Sequence, residues 1–303
     1  MDGVLLWNRL YRVVTELDAR FVGQPARRGH PDEYSVGQVA LCWLWAALNN
    51  LPLSVAAARL KDERYRRAQR VLGVILPAAC PHPTTLRRRS LRQDFWLFLT
   101  VVGMLLIGLL APNTRTALLD SSPLPVPYTS RDPDAAWGHH HIHGYRWHTL
   151  TSADRIILVW SVHGANVHEL MVAPTLVAQA AGWGWRPRVV SGDVGYDSEP
   201  LHREVRTRLG AMLVAPFNDR GGEQVMKHTP LRRRLRARWD TPAVRAARAL
   251  RAEIDRMYSV LKSSLFGLFA LPPWVRRQTA VERWLTLKIL LYHTYLLNER
   301  APE

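Results

Sequence analysis

The chain has 303 residues, of which 48% are hydrophobic, and it carries 41 Lys and Arg against 25 Asp and Glu, a formal net charge of +16 at pH 7. The hydrophobic share suffices for a sizeable core and excludes global disorder. A soluble protein this basic usually meets a polyanion, most often nucleic acid. Two cysteines are too few for a disulfide framework, so we expect a reducing, cytoplasmic compartment.

Residues 1–112 have the pattern of an all-helical N-terminal domain. Ser35 suits the N-cap of a strongly apolar helix over residues 36–49, and a second helix over 53–60 follows a short turn. A later helix opens with four arginines among residues 87–92. These arginines fit a phosphate-facing element and a solvated basic face equally well.

One apolar run, residues 95–111, has about the shortest length that could span a bilayer. It contains two glycines, and no other run in the sequence resembles it. A single short span with glycines inserts poorly, so we expect a buried core helix and no membrane partner. A membrane-associated basic protein built on this run is the alternative.

The sequence changes character over residues 113–272. Strand patterns cover residues 115–120, 139–152, 155–163, 188–191 and 211–215, and helix patterns cover 169–182, 200–209 and 242–262. The order β-β-β-α-β-α-β-α predicts an α/β fold with a mixed sheet flanked by helices. Pro272 and Pro273 mark the start of the segment 273–303, in which we expect a C-terminal helix that packs on the core.

Asp120 and Asp193 each end a predicted central strand. Acids at the carboxyl ends of strands lie where open α/β sheets place their sites. Two converging carboxylates suit Mg²⁺ or Mn²⁺. The alternative is two ordinary turn aspartates, because Ser follows the first and Val-Gly follows the second.

A third acid lies on the predicted helix over residues 242–262. Helical spacing puts Glu253 and Asp255 on opposite flanks of the apolar stripe, so only one of them can readily face a given pocket. The flank of Asp255 carries three cations: Arg248, Arg251 and Lys262. An acid amid these cations fits a metal ligand beside DNA phosphates, and simple ion pairing with Arg251 is the alternative.

Three blocks resemble those of the bacterial insertion-sequence DDE transposases, whose catalytic domain is ribonuclease-H-like. The blocks are LLDSSPLPV around Asp120, SGDVGYDS around Asp193 and RAEIDRMYSVLKSSLFGL around Asp255. The resemblance covers about residues 113–270. It implies a ribonuclease-H-like mixed sheet for this region.

The third block is the most specific. Arg251, Asp255 and Lys262 reproduce the family spacing Y-x2-R-x3-E-x6-K at three of four positions. Two residues differ from the family pattern, since Arg248 replaces the Tyr and Asp255 replaces the Glu. Glu253 is the fallback for the third acid, although its register does not match the motif.

The resemblance implies a DNA transposase that cuts transposon ends and joins them to target DNA by two-metal hydrolysis and transesterification. Asp120, Asp193 and Asp255 would be catalytic and would hold Mg²⁺, for which Mn²⁺ substitutes. The implied partners are transposon-end DNA and target DNA, with a homodimer at synapsis, in the nucleoid-associated cytoplasm of a bacterium. Residues 1–112 would bind DNA ends or dimerise. A catalytically inactive or repurposed DNA-binding protein of the same descent is the alternative, motivated by the two substitutions.

Several side chains are expected to contact DNA, mainly at phosphates rather than bases. They are Arg248, Arg251, Lys262, Tyr196, Arg232, Arg233 and Arg234. The last three belong to the basic run RRRLRAR at 232–238. This run is the candidate for contact with the DNA end.

Histidines and serines in the sequence offer two other chemistries. His139, His141 and His143 could share one face of a strand and bind zinc, but we expect exposed or DNA-contacting histidines. Ser121 and His202 suggest a serine hydrolase, yet no G-x-S-x-G elbow surrounds the serine.

Overall fold

A computed structural model describes residues 3–21, 33–62, 81–218 and 229–300. The chain divides into two compact units, one of Met1–Ala111 with Arg283–Glu303 and one of Pro112–Glu282. The sequence put a boundary at residue 112 and treated 273–303 as a separate segment. In the structure the last helix belongs to both units, because its residues from Arg283 onward join the first.

The first unit is helical throughout its described residues. Its helices are α1 (Gly3–Asp18), α2 (Val36–Leu48), α3 (Leu53–Lys61), α4 (Pro83–Arg89) and α5 (Gln93–Leu110). Ser35 caps α2 as predicted, since its hydroxyl accepts from the Gln38 N–H while the Gln38 side chain accepts from the Ser35 N–H. Such a capping box satisfies two backbone donors and fixes where the helix begins.

Helix α5 contains the long apolar run and is buried on one face only. Phe98, Val102 and Leu106 are buried, whereas Leu97 and Leu109 on the other side are 56% and 62% exposed. Among the described residues it is the one unbroken helix long and apolar enough to cross a membrane, and the sharply bent pair α2 and α3 passes that test only if counted as a single span. Core helices of soluble proteins meet the same criterion.

The second unit is built on a mixed sheet. Its strands are β1 (Thr116–Pro125), β2 (Ala136–Trp137), β3 (His143–Ser152), β4 (Ile157–Gly164), β5 (Val189–Ser191) and β6 (Met212–Val214). Strand β3 is antiparallel to β1 on one side and to β4 and β2 on the other. Strands β5 and β6 continue the sheet from β1 in parallel. Strands β1, β3 and β4 form an antiparallel meander, and β5 and β6 are parallel to β1. This arrangement confirms the predicted ribonuclease-H-like mixed sheet.

Helices cover both faces of this sheet. They are α6 (Glu169–Gly182), α7 (Glu199–Leu209), α8 (Pro230–Arg236), α9 (Pro242–Ala249) and α10 (Arg251–Lys262). The last helix, α11 (Gln278–Glu299), begins in this unit. On β6, Leu213 packs in a core cluster with α6 and α7, whereas the next residue, Val214, packs with α8 and α9. This alternation follows from strand geometry, in which successive side chains point to opposite faces.

Some predicted elements differ from the structure. The strand predicted over 115–120 continues to Pro125, so Asp120 lies within it. The helix predicted over 242–262 is broken at Leu250, where the Glu253 N–H donates to the Leu250 carbonyl in a tighter turn. The strand predicted over 139–152 begins only at His143. Residues before it form a short 3₁₀ turn, closed by the Gly138 N–H on the Ile142 carbonyl.

Candidate active site

Asp120 and Asp193 occupy equivalent positions on neighbouring strands. The parallel register pairs Leu118 of β1 with Ser191 of β5, the last residue of β5. Counting two residues onward from this pair gives Asp120 within β1 and Asp193 just after β5. Both acids therefore lie at one level, where β5 leaves the sheet. The prediction that Asp193 follows a strand end is confirmed, whereas the prediction that Asp120 ends a strand was wrong, because β1 continues to Pro125.

Local backbone hydrogen bonds hold both carboxylates. One oxygen of Asp120 accepts from the Ser121 N–H at 2.8 Å. One oxygen of Asp193 accepts from the Gly195 N–H at 2.8 Å and caps the short 3₁₀ turn Val194–Tyr196. Short Asp side chains favour such turns. The turn that the sequence offered as an alternative is present at Asp193, where it orients the acid, whereas Asp120 lies within β1.

The two acids share an electrostatic environment that disfavours charge. Burial is the main cause, and the charges of Asp193 and Asp255 contribute, so that the pKa of Asp120 is raised to about 7 although the Ser121 N–H and Arg251 lower it. Burial also raises the pKa of Asp193. Like charges gathered in a desolvated place resist ionisation unless a cation joins them.

Helix α10 brings the third acid to the same place. Tyr258 on this helix donates a hydrogen bond to the Asp120 carbonyl oxygen at 3.2 Å and packs edge-on against Trp147. Asp255, one turn earlier, is exposed, and its charge acts on Asp120. The fallback acid Glu253 faces elsewhere, because it forms ion pairs with Arg256 and Arg155.

The carboxylates provide the oxygen ligands that a divalent cation prefers, but they are not grouped closely around one point. Within residues 3–21, 33–62, 81–218 and 229–300, no three His, Cys, Asp or Glu side chains are grouped closely enough to hold a metal ion. The oxygen donors and the raised pKa of Asp120 nevertheless match a hard cation, whose charge stabilises neighbouring carboxylates.

The three cations predicted beside Asp255 differ in their contacts and burial. The charge of Arg251 lowers the pKa of both Asp120 and Asp193. Lys262 is half-buried, and burial lowers its pKa. The Arg248 guanidinium is stacked 4.1 Å from the ring centre of Trp239, a cation–π contact that orients it.

Two residues predicted to contact DNA are buried instead. The Arg232 guanidinium is held by the Asp197 carboxylate, with its Nε 2.9 Å from one oxygen, and only 6% of the residue is exposed. Tyr196 is 1% exposed. Both predictions were wrong because the side chains face the interior, whereas Arg233 and Arg234 on the same helix as Arg232 are exposed.

Sequence reasoning gave no role to Glu169, yet this acid lies beside the site. It accepts hydrogen bonds from the Ser121 hydroxyl at 2.9 Å and from the Arg146 guanidinium at 2.7 Å. Its charge raises the pKa of Asp193. The sequence did predict that a helix begins at residue 169. Only the fold shows that this first helical turn, with its acid, lies near Asp193.

The histidines and serines do not form the other chemistries considered. His143 stacks on Trp137, while His148 is fully buried against His163. Because residues 139–141 form a turn, the strand face that zinc binding required is absent there. Ser121 donates to Glu169, and His202 lies 3.4 Å from Asp197, so the contacts of these two residues are not those of a hydrolase pair.

A family model described as "Transposase DDE domain" matches residues 112–293. The chain belongs to this family. Family membership makes it a transposase by class, with the family's general use of divalent metal. Its structure is similar to a cryo-EM structure of the piggyBac transposase synaptic complex with hairpin DNA, with a TM-score of 0.47 and 9% sequence identity, over 99% of this chain and 73% of that one. No curated protein matches the chain.

Proposed function

We propose that this DDE transposase cuts the ends of its element and joins them to target DNA through metal-dependent phosphodiester chemistry. The observation that supports this most directly is the parallel register of β1 and β5, because two residues beyond its last pair it puts Asp120 level with Asp193. Asp255 adds a third negative charge from a helix attached to β1. Acids that approach one another from separate elements suit metal-assisted hydrolysis.

Asp120, Asp193 and Asp255 would hold divalent cations, with Mg²⁺ as the expected ion and Mn²⁺ as its substitute. Bound ions of this kind activate an oxygen nucleophile and stabilise the leaving oxygen of an in-line displacement. Arg251 would contact a phosphate next to the acids, since its positive charge already acts on Asp120 and Asp193. Lys262 would neutralise a neighbouring phosphate.

Two displacements at phosphorus make up the proposed reaction. In the first, a water oxygen loses a proton and bonds to phosphorus at the element end, the P–O3′ bond breaks, and the leaving O3′ takes up a proton to become a free 3′-hydroxyl. In the second, that hydroxyl loses its proton, its oxygen bonds to a phosphorus of the target, the target P–O3′ bond breaks, and the target O3′ takes up a proton. The first step hydrolyses one phosphodiester bond, the second exchanges one for another, and neither needs a redox co-reactant.

An arginine-rich surface beside the sheet would contact the DNA backbone. Arg206 of α7 lines a cavity of about 70 Å³ together with Arg234 and Arg238, and Arg233 is exposed on the same helix as Arg234. Guanidinium groups bind phosphate oxygens without reading bases. We expect affinity for DNA through this surface to fall steeply with salt.

Assembly and compartment are part of the same proposal. Joining two ends to one target requires both ends to be held together, so we expect a homodimer at synapsis. DNA as substrate fits the nucleoid of a bacterial cytoplasm. The helical first unit would bind DNA ends or form dimer contacts, for which the exposed Arg87 and Arg88 of α4 are candidates, whereas Arg89 is buried and Arg92 is ion-paired with Asp94.

A nicking assay tests this function. A supercoiled plasmid carrying the DNA that flanks the coding region is incubated with Mg²⁺ or Mn²⁺, and nicked and linear products are measured. We expect activity in the wild type and its loss, by roughly a hundredfold or more, in D120N, D193N and D255N. E253Q is the matched control on the same helix and should retain activity.

The possible results of this assay distinguish the proposed function from its alternatives. Loss of cleavage in E253Q together with full cleavage in D255N would mean that Glu253, and not Asp255, is the third acid. Normal DNA binding without metal-dependent cleavage in the wild type would favour the inactive or repurposed DNA-binding protein. Equal activity in the wild type and D120N would sink the proposed mechanism.

A further inference from the structure

Glu169, the first residue of α6, is held firmly by one of its two oxygens. Both Ser121 and Arg146 donate to its Oε1, at 2.9 Å and 2.7 Å, and 15% of its side chain is exposed. Ser121 directly follows Asp120, so Glu169 is connected to β1 next to the first catalytic acid. Fixing one oxygen of a carboxylate in this way orients the other.

The second oxygen of Glu169 faces Asp193. A Cβ atom on Gly195 would lie 2.6 Å from Glu169 Oε2 and 3.0 Å from Asp193 Oδ1. The two carboxylate oxygens therefore cannot be farther apart than those two distances combined. Only glycine leaves room for both acids at this point, and the charge of Glu169 raises the pKa of Asp193.

A buried phenol group points to a ligand among these acids. The Tyr196 hydroxyl has no hydrogen-bond partner among the described residues, and the residue is 1% exposed. Burial raises the pKa of Tyr196, and the nearby charges of Asp120, Glu169 and Asp193 raise it further. A buried hydroxyl in this position is satisfied by a hydrated ion or water.

We propose that Glu169 is a fourth acidic ligand of the divalent cation, which it reaches through Oε2 beside Asp193. This inference rests on the proposed function, because it concerns the same cation. Ser121 and Arg146 act as positioning residues that hold the Glu169 carboxylate. The hydroxyl of Tyr196 binds a water of the ion's hydration shell.

Mn²⁺ binding to the full chain without DNA provides the test. Free Mn²⁺ is measured by electron paramagnetic resonance during titration of the wild type, E169Q and E204Q. The glutamine oxygen can still accept from Ser121 and Arg146, so E169Q keeps those contacts. We expect E169Q to bind Mn²⁺ at least about tenfold more weakly than the wild type. E204Q changes a half-buried glutamate that is ion-paired with Arg208 on α7 and should bind Mn²⁺ like the wild type.

The variants D120N and D193N distinguish failure of this inference from failure of the proposed function. If E169Q binds Mn²⁺ like the wild type while D120N and D193N bind it weakly, Glu169 is not a ligand and the proposed function stands. If all three bind it like the wild type, the metal centre itself is refuted.

Circular dichroism shows whether E169Q folds. If it does not fold, a second substitution provides the test. E169D keeps the charge but shortens the reach by one methylene, so a ligand role predicts weaker Mn²⁺ binding. Affinity equal to that of the wild type in a folded E169D would overturn the proposal.

Discussion

The phenol oxygen of Tyr258 lies 3.2 Å from the backbone carbonyl oxygen of Asp120 and 2.8 Å from the hydroxyl oxygen of Thr149. Tyr258 donates to the carbonyl, so the Thr149 hydroxyl donates to the phenol. This pair of hydrogen bonds attaches α10 to β1 and β3 at the residue that carries the first acid. The position of Asp255 relative to Asp120 therefore depends on a buried tyrosine one turn further along the helix.

Replacing Tyr258 by phenylalanine tests this attachment. Y258F leaves the Thr149 hydroxyl and the Asp120 carbonyl without this partner, so we expect a loss of about 1–3 kcal/mol in the free energy of unfolding. We also expect reduced cleavage, since Asp255 is held less firmly. Urea unfolding and the nicking assay measure the two effects. Y295F, which removes a hydroxyl bonded to Glu299 in α11, is the control; equal stability of both variants would contradict the attachment.

Asp120 makes the stability of the metal-free protein depend on pH. Its folded-state pKa is raised from 3.8 to about 7 by burial and neighbouring acids. Between these values the unfolded chain releases a proton that the folded chain keeps, so the free energy of unfolding falls as pH rises from about 4 to 7. The contribution lost is on the order of 4 kcal/mol.

D120N should remove this dependence and be more stable than the wild type at pH 7 and above, with the difference vanishing near pH 4. Urea unfolding at a series of pH values without metal provides the comparison. D240N changes an exposed aspartate and should follow the wild type. A pH-independent difference between D120N and the wild type would count against the raised pKa.

Metal binding should require deprotonation of Asp120. A ligand must lose its proton before it binds, and the pKa of this carboxyl is about 7 because of burial and neighbouring charges. We expect Mn²⁺ affinity to rise about tenfold per pH unit below pH 7 and to level off above it. Titrations at pH 5.5 to 8.5 in one ionic strength measure this, and a flat profile would contradict it.

Neighbouring arginines on α8 should have opposite effects. Arg232 is buried against Asp197, so R232Q removes the guanidinium charge from a buried carboxylate, which keeps its contacts with His202 and the Asn218 N–H. We expect R232Q to lower the free energy of unfolding by about 3 kcal/mol. Arg234 is exposed, so R234Q should keep wild-type stability while weakening DNA binding and reducing its salt dependence. Chemical denaturation and fluorescence anisotropy at several salt concentrations give both readouts. Weak DNA binding by a stable R232Q would reverse the assignment.

Periodic patterns in the sequence determined much of the fold. The alternation of strands and the helix start at Glu169 follow from hydrophobic spacing and capping residues, which act over a few neighbours. Ser35 capped α2 as expected, because a capping box needs only four consecutive residues. Local errors arose where the pattern was continuous but the backbone turned, as at Leu250 and before His143.

The acids at positions 120, 193 and 255 were predicted from strand ends, helix flank and family spacing. Only the sheet register and the packing of α10 put Asp120 level with Asp193 and within reach of the charge of Asp255. Burial was equally invisible in sequence, because the basic run gives Arg232 and Arg234 the same appearance. The structure buries the first against Asp197 and exposes the second.

The sequence by itself thus determined the element order, the transposase family pattern and the candidate acids, because these depend on residues close together in the chain. The tertiary structure decided which charged groups meet. It separated Glu253 from Asp255 and brought Glu169 beside Asp193. Charge interactions depend on distance and desolvation, and both are set by contacts between residues far apart in the chain.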